Sequence, residues 1–111
     1  LLMHVESIMA GANETIDPAA LVSFQSVRDR AGLTTPVTIV TKDALLTERR
    51  VELAFENHRL FDLMRLGVAE DVLSAFSTAN GYGFTSTDIL LPIPQREIGL
   101  SLGNLTQNPG Y

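Results

Sequence analysis

Apolar side chains in the first third of the chain recur with the spacing of two amphipathic helices. They lie three or four positions apart in residues 1–12 and again in residues 18–31, as the buried face of a helix does. Asp17 and Pro18 are typical of a helix start, and Gly32 is typical of a helix end. The pattern predicts a helical hairpin with a short connection.

A longer helical pattern follows after a loop at residues 34–39. Thr41 is a suitable N-terminal cap and Gly67 a suitable stop, so we predict one helix over residues 42–66. A shorter helix is predicted over residues 68–78. The fold class expected from this order of elements is mainly α-helical, with helix pairs that stack as the units of a solenoid do.

The last third of the chain has a different composition. Residues 79–111 are predicted to be extended and irregular, because glycines, prolines and polar residues interrupt every apolar run. Pro92 and Pro94 exclude both a helix and a central strand at their positions. One helical turn is predicted at residues 95–98. We expect residues 1–111 to form a single domain.

The predicted helix over residues 42–66 is apolar on more than one side. A helix of this kind packs between neighbours and not on a surface. We therefore expect further chain, or a second copy of this one, to cover its apolar face. The sequence also opens at Leu1 in a helical rhythm, which suggests a piece of a longer protein.

Arginine is concentrated in the same predicted helix. Four arginine–acid pairs there are three positions apart: Arg49–Glu52, Glu56–Arg59, Arg59–Asp62 and Asp62–Arg65. This spacing predicts ion pairs along one helix face. Arginine in place of lysine favours planar, multi-donor contacts with carboxylates and backbone carbonyls in semi-buried positions. The predicted ladder of ion pairs comprises Arg49, Glu52, Glu56, Arg59, Asp62 and Arg65.

Charge and composition exclude several classes of function. Thirteen acids against eight bases give a net charge of -5, which argues against binding to nucleic acid or to anionic membranes. The chain contains no cysteine, so thiol chemistry and thiolate metal sites are excluded within it. It has no apolar run long enough to span a bilayer and no signal peptide. No cofactor motif is present.

Acidic residues at four-residue intervals raise an enzymatic alternative. Glu48, Glu52 and Glu56 would share one helix face and resemble the carboxylate pair of a glycosidase, with Glu52 and Glu56 as the reacting groups. Neighbouring arginines favour the ionised state, which is wrong for a general acid. His58 with Asp62 lacks a recognisable nucleophile. We therefore expect no catalytic residue, no metal ligand and no enzyme activity.

One loop has the composition of a ligand contact. Tyr82 is flanked by glycines and lies close to Asn80, which pairs an aromatic ring with a hydrogen-bonding side chain. Sugars bind to this combination of groups. Asn80 and Tyr82 are therefore the candidate ligand-binding residues, and the alternative is a loop tyrosine packed on its own domain.

Four strings occur in a characteristic order along the chain. They are LLMHVES at 1–7, VRDRAGL at 27–33, ERRVELAFENHRLFDLMRLG at 48–67, and LPIP at 91–94 with QNPGY at 107–111. Together they resemble the C-terminal region of the SusD/RagB family, except that Leu60 and Leu66 stand where family members often carry aromatic residues.

The resemblance implies a mainly α-helical fold of tetratricopeptide-like helix pairs, a SusD-like α-α superhelix. It also implies an exported lipoprotein at the outer face of the outer membrane, with its lipid anchor outside this chain. Such proteins capture oligosaccharides or peptides for a SusC-type TonB-dependent transporter. This chain would then be the helical C-terminal scaffold of a nutrient-binding protein. The alternative is a free-standing tetratricopeptide-like module that binds another protein, which would have no need of the closing proline-rich segment.

Overall fold

The computed structural model describes residues 1–111 and is mainly helical, as the sequence pattern predicts. The chain divides into two compact units, residues 1–66 and residues 67–111. The first unit contains α1 (Leu2–Met9), β1 (Glu14–Thr15), α2 (Pro18–Arg30), β2 (Val40–Thr41), α3 (Lys42–Glu52) and α4 (Arg59–Arg65). The second contains α5 (Ala69–Asn80), a 3₁₀ turn (Ser86–Ile89) and α6 (Gln95–Leu100).

The core of the first unit forms where α1 packs on α2, with contributions from β2 and α3. Its largest fully enclosed side chains outside α4 are Val5, Val40 and Leu45. Burying each such side chain contributes about 1.5–3 kcal/mol relative to exposure. The buried core residues are Leu2, Val5, Met9, Ala20, Phe24, Val27, Val40 and Leu45.

Local sequence signals set the ends of α2. The Asp17 carboxylate accepts hydrogen bonds from two backbone N–H groups of the first turn, at 2.8 and 3.4 Å. At the other end Gly32 has φ of 78°, a conformation that favours glycine. Its N–H donates to the carbonyl of Asp29, and the next N–H donates to that of Arg28, which is a Schellman end. The hairpin predicted from these residues is present.

The first helix is shorter than the predicted span of residues 1–12. It ends at Met9, because Ala10 adopts φ of 48° and Gly11 adopts φ of 87°. The chain then forms β1, which pairs antiparallel with β2, Glu14 opposite Thr41. The paired residues are 27 and 25 positions apart in the chain (Glu14 with Thr41, Thr15 with Val40), so no local pattern predicts the pairing.

The prediction of one helix over residues 42–66 is wrong. Helix α3 ends at Glu52 and α4 begins at Arg59. In the segment between them, which we call the 53–58 loop, Phe55 has φ of 68° and Asn57 has φ of 60°. Left-handed residues cannot continue a right-handed helix, so the chain turns here.

In the second unit α5 spans Ala69–Asn80 and is close to its predicted range. Gly81, with φ of 72°, ends it. Residues 79–111 are largely irregular as predicted, but they also contain the 3₁₀ turn, and α6 extends the single turn predicted at residues 95–98. Thr85 and Asp88 form a reciprocal capping box that starts the 3₁₀ turn.

Candidate functional site

The most deeply buried charges of the chain form one ion pair between α3 and α4. Arg49 donates from Nε to Asp62 Oδ2 at 2.9 Å and from Nη2 to Oδ1 at 2.8 Å. The two side chains are only 5% and 3% exposed. Such two-fold contact is the strongest geometry that arginine makes with a carboxylate, and it fixes α4 against α3 across the 53–58 loop.

A second arginine connects this pair to α1. Arg65 donates to both carboxylate oxygens of Glu6 and also to Asp62 Oδ1 at 2.9 Å. The hydrogen bond from Arg65 is the main reason why the pKa of Glu6 lies below its ordinary value. The same hydrogen bonding, in which Glu6 accepts, raises the pKa of Arg65. Helices α1, α3 and α4 are thereby joined through four charged side chains.

The pKa of Asp62 is the balance of two opposed effects. Burial raises it, because a desolvated carboxylate is unfavourable. The hydrogen bonds and positive charges of Arg49, and then of Arg65, lower it and prevail. Asp62 therefore remains an anion held between two guanidinium groups, which suits a structural role and not that of an acid catalyst.

The predicted ion-pair ladder is largely wrong in its partners. Among its four predicted pairs only Asp62 with Arg65 is present. The helix break places Glu56 in the 53–58 loop and Arg59 in α4, which accounts for the loss of that pair. Arg49 and Glu52 both lie in α3, but each pairs with a residue of another helix, Asp62 and Arg30 respectively. The structure instead joins elements through the pairs Arg49–Asp62, Arg65–Glu6, Arg28–Glu48 and Arg30–Glu52.

The three glutamates that suggested a glycosidase do not share a helix face. Glu48 is buried and pairs with Arg28 at 3.0 Å, and Glu52 pairs with Arg30. Glu56 lies beyond the end of α3, where its carboxylate is 3.9 Å from the imidazole of His58. Two of the three carboxylates are thus occupied by arginines from α2.

A cleft of about 410 Å³ opens along the 53–58 loop. Its lining includes Arg49, Arg50, Arg59 and Asp62, together with the ring of Phe55. Asp62 is already shared by Arg49 and Arg65, whereas Arg50 and Arg59 form no ion pair. We call this the arginine cleft. The guanidinium atom Nη1 of Arg59 is buried and has no hydrogen-bond partner.

A second cleft of about 430 Å³ is lined by residues of α1, α2 and α3. Its apolar lining includes Leu1 and Met3, and its arginines are Arg30 and Arg49. Both of these arginines form ion pairs, Arg30 with Glu52 and Arg49 with Asp62. This cleft therefore differs from the arginine cleft, where two arginines form no ion pair.

The candidate ligand contacts Asn80 and Tyr82 lie together at the end of α5. The Tyr82 ring is 66% exposed and stacks on Phe76, with ring centroids 5.9 Å apart. Asn80 donates from Nδ2 to the Phe76 carbonyl at 2.8 Å, and its Oδ1 has no partner within the chain. Ser77 holds the loop by donating to the Tyr82 carbonyl and accepting from the Phe84 N–H.

The closing proline-rich segment is held by the amide side chains of the last residues. Gln107 donates from Nε2 to the Ile93 carbonyl at 2.9 Å and accepts the Ile93 N–H at 2.8 Å. Asn108 donates to the carbonyl of Leu91 at 2.7 Å. The LPIP and QNPGY strings therefore form one hydrogen-bonded unit, which spacing alone did not indicate.

The structure contains neither a cluster of metal ligands nor a helix that could cross a membrane. No three side chains of histidine, cysteine, aspartate or glutamate come close enough together to hold a metal ion. His4 instead forms a hydrogen bond with Ser23 at 2.9 Å. None of the helices combines the length and hydrophobicity that crossing a membrane requires.

Sequence reasoning missed Glu6, Arg28 and Gln107 as contributors to these contacts. All three lie in or next to the strings that carry the family resemblance, and that was the available signal. Their partners are 14 to 59 residues away along the chain, so spacing within a helix gave no indication of them.

Comparison with known proteins gives three similarities. The chain is 36% identical to surface glycan-binding protein A from Bacteroides thetaiotaomicron, with a TM-score of 0.76 over 97% of this chain and 22% of that one. It is 32% identical over 71 residues to SusD-like protein P2 from Formosa agariphila, covering 63% of this chain and 14% of that protein. The chain thus spans less than a quarter of either. The SusD family model matches residues 1–111, and the chain therefore belongs to the SusD family.

Proposed function

We propose that this chain is the helical C-terminal scaffold of a nutrient-binding protein that captures glycans at the outer face of the outer membrane. The observation that supports this most directly is the similarity over 97% of the chain to a surface glycan-binding protein. On this proposal the protein binds and hands over its ligand without altering it, so it is not an enzyme. A lipid anchor and most of the binding surface lie in further parts of the protein.

The scaffold role is supported by the charged contacts between helices. Helices α1, α3 and α4 are joined by contacts among Glu6, Arg49, Asp62 and Arg65. Helices α1 and α2 pack on each other through the buried apolar core. The charged groups neutralise each other, and Asp62 is almost fully enclosed while accepting three hydrogen bonds from Arg49 and Arg65. They fix the positions of helices and loops that present other residues.

Further chain is proposed to cover the apolar face of the first unit. Val51 is 69% exposed and Phe61 is 61% exposed, although both belong to helices. Met64, one turn after Phe61 on α4, is also partly exposed. Tetratricopeptide-like helix pairs cover such faces by stacking on the next pair. We propose that this occupant is the remainder of the protein or, failing that, a second copy.

Where a neutral glycan contacts this chain, we propose Asn80 and Tyr82 as the contacts. The stacked rings of Tyr82 and Phe76 offer an apolar platform, and the free Oδ1 of Asn80 can accept a sugar hydroxyl. Isothermal titration with a panel of neutral oligosaccharides tests this. Tyr82→Ala is expected to weaken binding about fivefold, since a stacked aromatic contributes on the order of 1 kcal/mol.

Phe61→Ala is the matched control, because it removes a similarly exposed ring from a surface proposed to face protein. Equal affinities for the parent chain and Tyr82→Ala would contradict this contact. Absence of binding to every oligosaccharide in the panel would contradict glycan capture by the chain itself.

The proposed partner is a SusC-type TonB-dependent transporter, which would receive the captured oligosaccharide or peptide. Affinity purification of the tagged protein from detergent-solubilised outer membranes tests this. We expect a transporter-sized β-barrel protein in stoichiometric amount. Recovery of the tagged protein without one would contradict the partnership.

The alternative function is a free-standing tetratricopeptide-like module that binds another protein, and the exposed apolar residues Val51 and Phe61 favour it. The hydrogen-bonded LPIP and QNPGY segment favours the scaffold instead, since a plain repeat module does not require it. Glycan binding by the recovered protein separates the two.

A further inference from the structure

The arginine cleft carries positive charge that the chain does not neutralise. Three arginines line it against a single aspartate, and that aspartate already accepts hydrogen bonds from Arg49 and Arg65. Arg50 and Arg59 have no acidic partner. Partial burial, and then the nearby Arg50, lower the pKa of the Arg59 guanidinium, as expected for a partly desolvated cation beside another cation, although the charge of Asp62 opposes this shift.

The buried Nη1 of Arg59 is the most specific feature of this cleft. A buried donor without an acceptor is rare in folded proteins, and for a charged group it is especially costly. The chain has eleven acidic groups besides Asp62 and Glu6 (thirteen acids in total), yet none of them pairs with Arg59. An acceptor from outside these residues is therefore the simplest way to satisfy it.

The ring of Phe55 gives the cleft an apolar wall. Phe55 is fully exposed and adopts φ of 68°, a conformation that is strained for a bulky residue. Strain of this kind persists where surrounding structure requires it and is frequent at binding sites. The loop thus presents an aromatic ring beside two guanidinium groups.

We propose that the arginine cleft binds the carboxylate of an acidic sugar residue, with Arg50 and Arg59 contacting the carboxylate and Phe55 packing against the sugar ring. A guanidinium fork matches a carboxylate in shape and charge, and a volume of about 410 Å³ lies within the usual range for small-ligand sites. The carboxylate follows from the arginines, whereas the choice of a sugar as its bearer rests on the proposed function.

Isothermal titration of the 111-residue chain with tetragalacturonic acid, and with its fully methyl-esterified form, tests this site. The two ligands share a backbone and differ in charge. We expect the acid to bind at least about tenfold more tightly than the ester, as charge-assisted hydrogen bonds imply. The preference is expected to shrink as salt is raised.

Variants then assign the preference to the cleft. Arg59→Gln and Arg50→Gln are each expected to remove most of it. Arg96→Gln makes the same charge change on α6, which contributes nothing to this cleft, and is expected to leave it intact. Arg50 is exposed, so its variant keeps the test valid even where Arg59→Gln unfolds the chain.

Equal affinity for acid and ester would overturn the cleft while leaving glycan capture standing. An equal loss of the preference in Arg96→Gln would also overturn it, because the effect would then be one of net charge. Absence of binding to the acid overturns the cleft as well. Failure of the cleft can be distinguished from failure of glycan capture. Glycan capture by the chain fails only if no neutral oligosaccharide binds either.

Discussion

At the scale of single residues, the arginine–carboxylate contacts separate into buried and exposed pairs with different consequences for stability. Arg49 and Asp62 are almost fully enclosed, so losing one partner leaves an uncompensated charge in the interior. Arg30 is 71% exposed in its pair with Glu52, where water replaces a lost partner. The same chemical pairing is therefore structural in one place and marginal in the other.

Replacing Asp62 with asparagine is expected to lower the free energy of unfolding by about 3–5 kcal/mol, because Arg49 would remain charged and buried. Glu52→Gln is the matched acid-to-amide control and is expected to cost less than about 1 kcal/mol. Urea denaturation followed by circular dichroism measures both. Similar losses in the two variants would contradict the assignment of a structural role to Asp62.

Acid sensitivity follows from the same carboxylates. The pKa values of Glu6 and Asp62 lie below their ordinary values in the folded chain, so the unfolded chain binds more protons as the pH falls. Their stabilisation is fully present above about pH 5, beyond the unfolded pKa values near 4. It is lost as the pH falls through the folded values.

We expect the free energy of unfolding to decrease steadily from about pH 5 downwards, and Glu6→Gln to make this decrease shallower. Urea denaturation at a series of pH values measures the slope. An identical slope in Glu6→Gln would mean that its ion pair with Arg65 does not contribute in solution.

At the scale of elements, the sequence predicts those features that neighbouring residues control. Asp17, Pro18 and Gly32 predict both ends of α2, because capping involves atoms a few residues apart. The prediction of one helix over residues 42–66 is wrong because the apolar pattern of the sequence continues through the 53–58 loop. Asn57, a residue that tolerates left-handed backbone, was the local sign of the break.

The break also explains which part of the candidate site was predictable. Arginine clustering correctly indicated multi-donor contacts in semi-buried positions, but the partners of Arg49 and Arg65 depend on how separate helices meet. Glu6 and Arg65 are 59 residues apart, and the paired residues of β1 and β2 are 25 and 27 apart. Such contacts arise from packing and leave no period in the sequence.

The turn at Asn57 can be tested by its backbone requirement. Asn57→Ala is expected to lower the free energy of unfolding by about 1 kcal/mol, because a left-handed conformation costs an ordinary residue roughly 1–2 kcal/mol. Asn57→Gly is the control and is expected to be neutral or slightly stabilising. Chemical denaturation measures both. A stabilised Asn57→Ala variant would indicate that the helix runs through this position.

The packing of the last residues can be tested by adding a methyl group at Gly110. A Cβ atom added to Gly110 would lie 2.7 Å from the Thr87 hydroxyl, and Gly110 also has φ of 96°. Gly110→Ala is therefore expected to loosen the second unit by about 1–3 kcal/mol. Faster amide hydrogen exchange at Ile93 and Asn108 would report this.

Gly99 provides the matched control, since it lies within α6 and an added Cβ would meet no atom within 4 Å. Gly99→Ala is expected to be neutral or to stabilise by up to about 1 kcal/mol. Equal exchange rates in the two variants would argue against tight packing of the last residues.

At the scale of the whole molecule, the chain is a family member that covers less than a quarter of the relatives it matches. Its exposed apolar residues, among them Val51 and Phe61, agree with a scaffold that is covered by further protein. Membership of the SusD family was recognisable from the sequence strings, because these strings span both units.

We propose that these residues form the C-terminal scaffold of a larger capture protein. The most direct test is the intact mass of the protein purified from its native cells through an antibody against this chain. We expect a protein several hundred residues larger that contains this sequence. A mass equal to that of the 111 residues, 12.1 kDa, would contradict it and favour the free-standing interaction module.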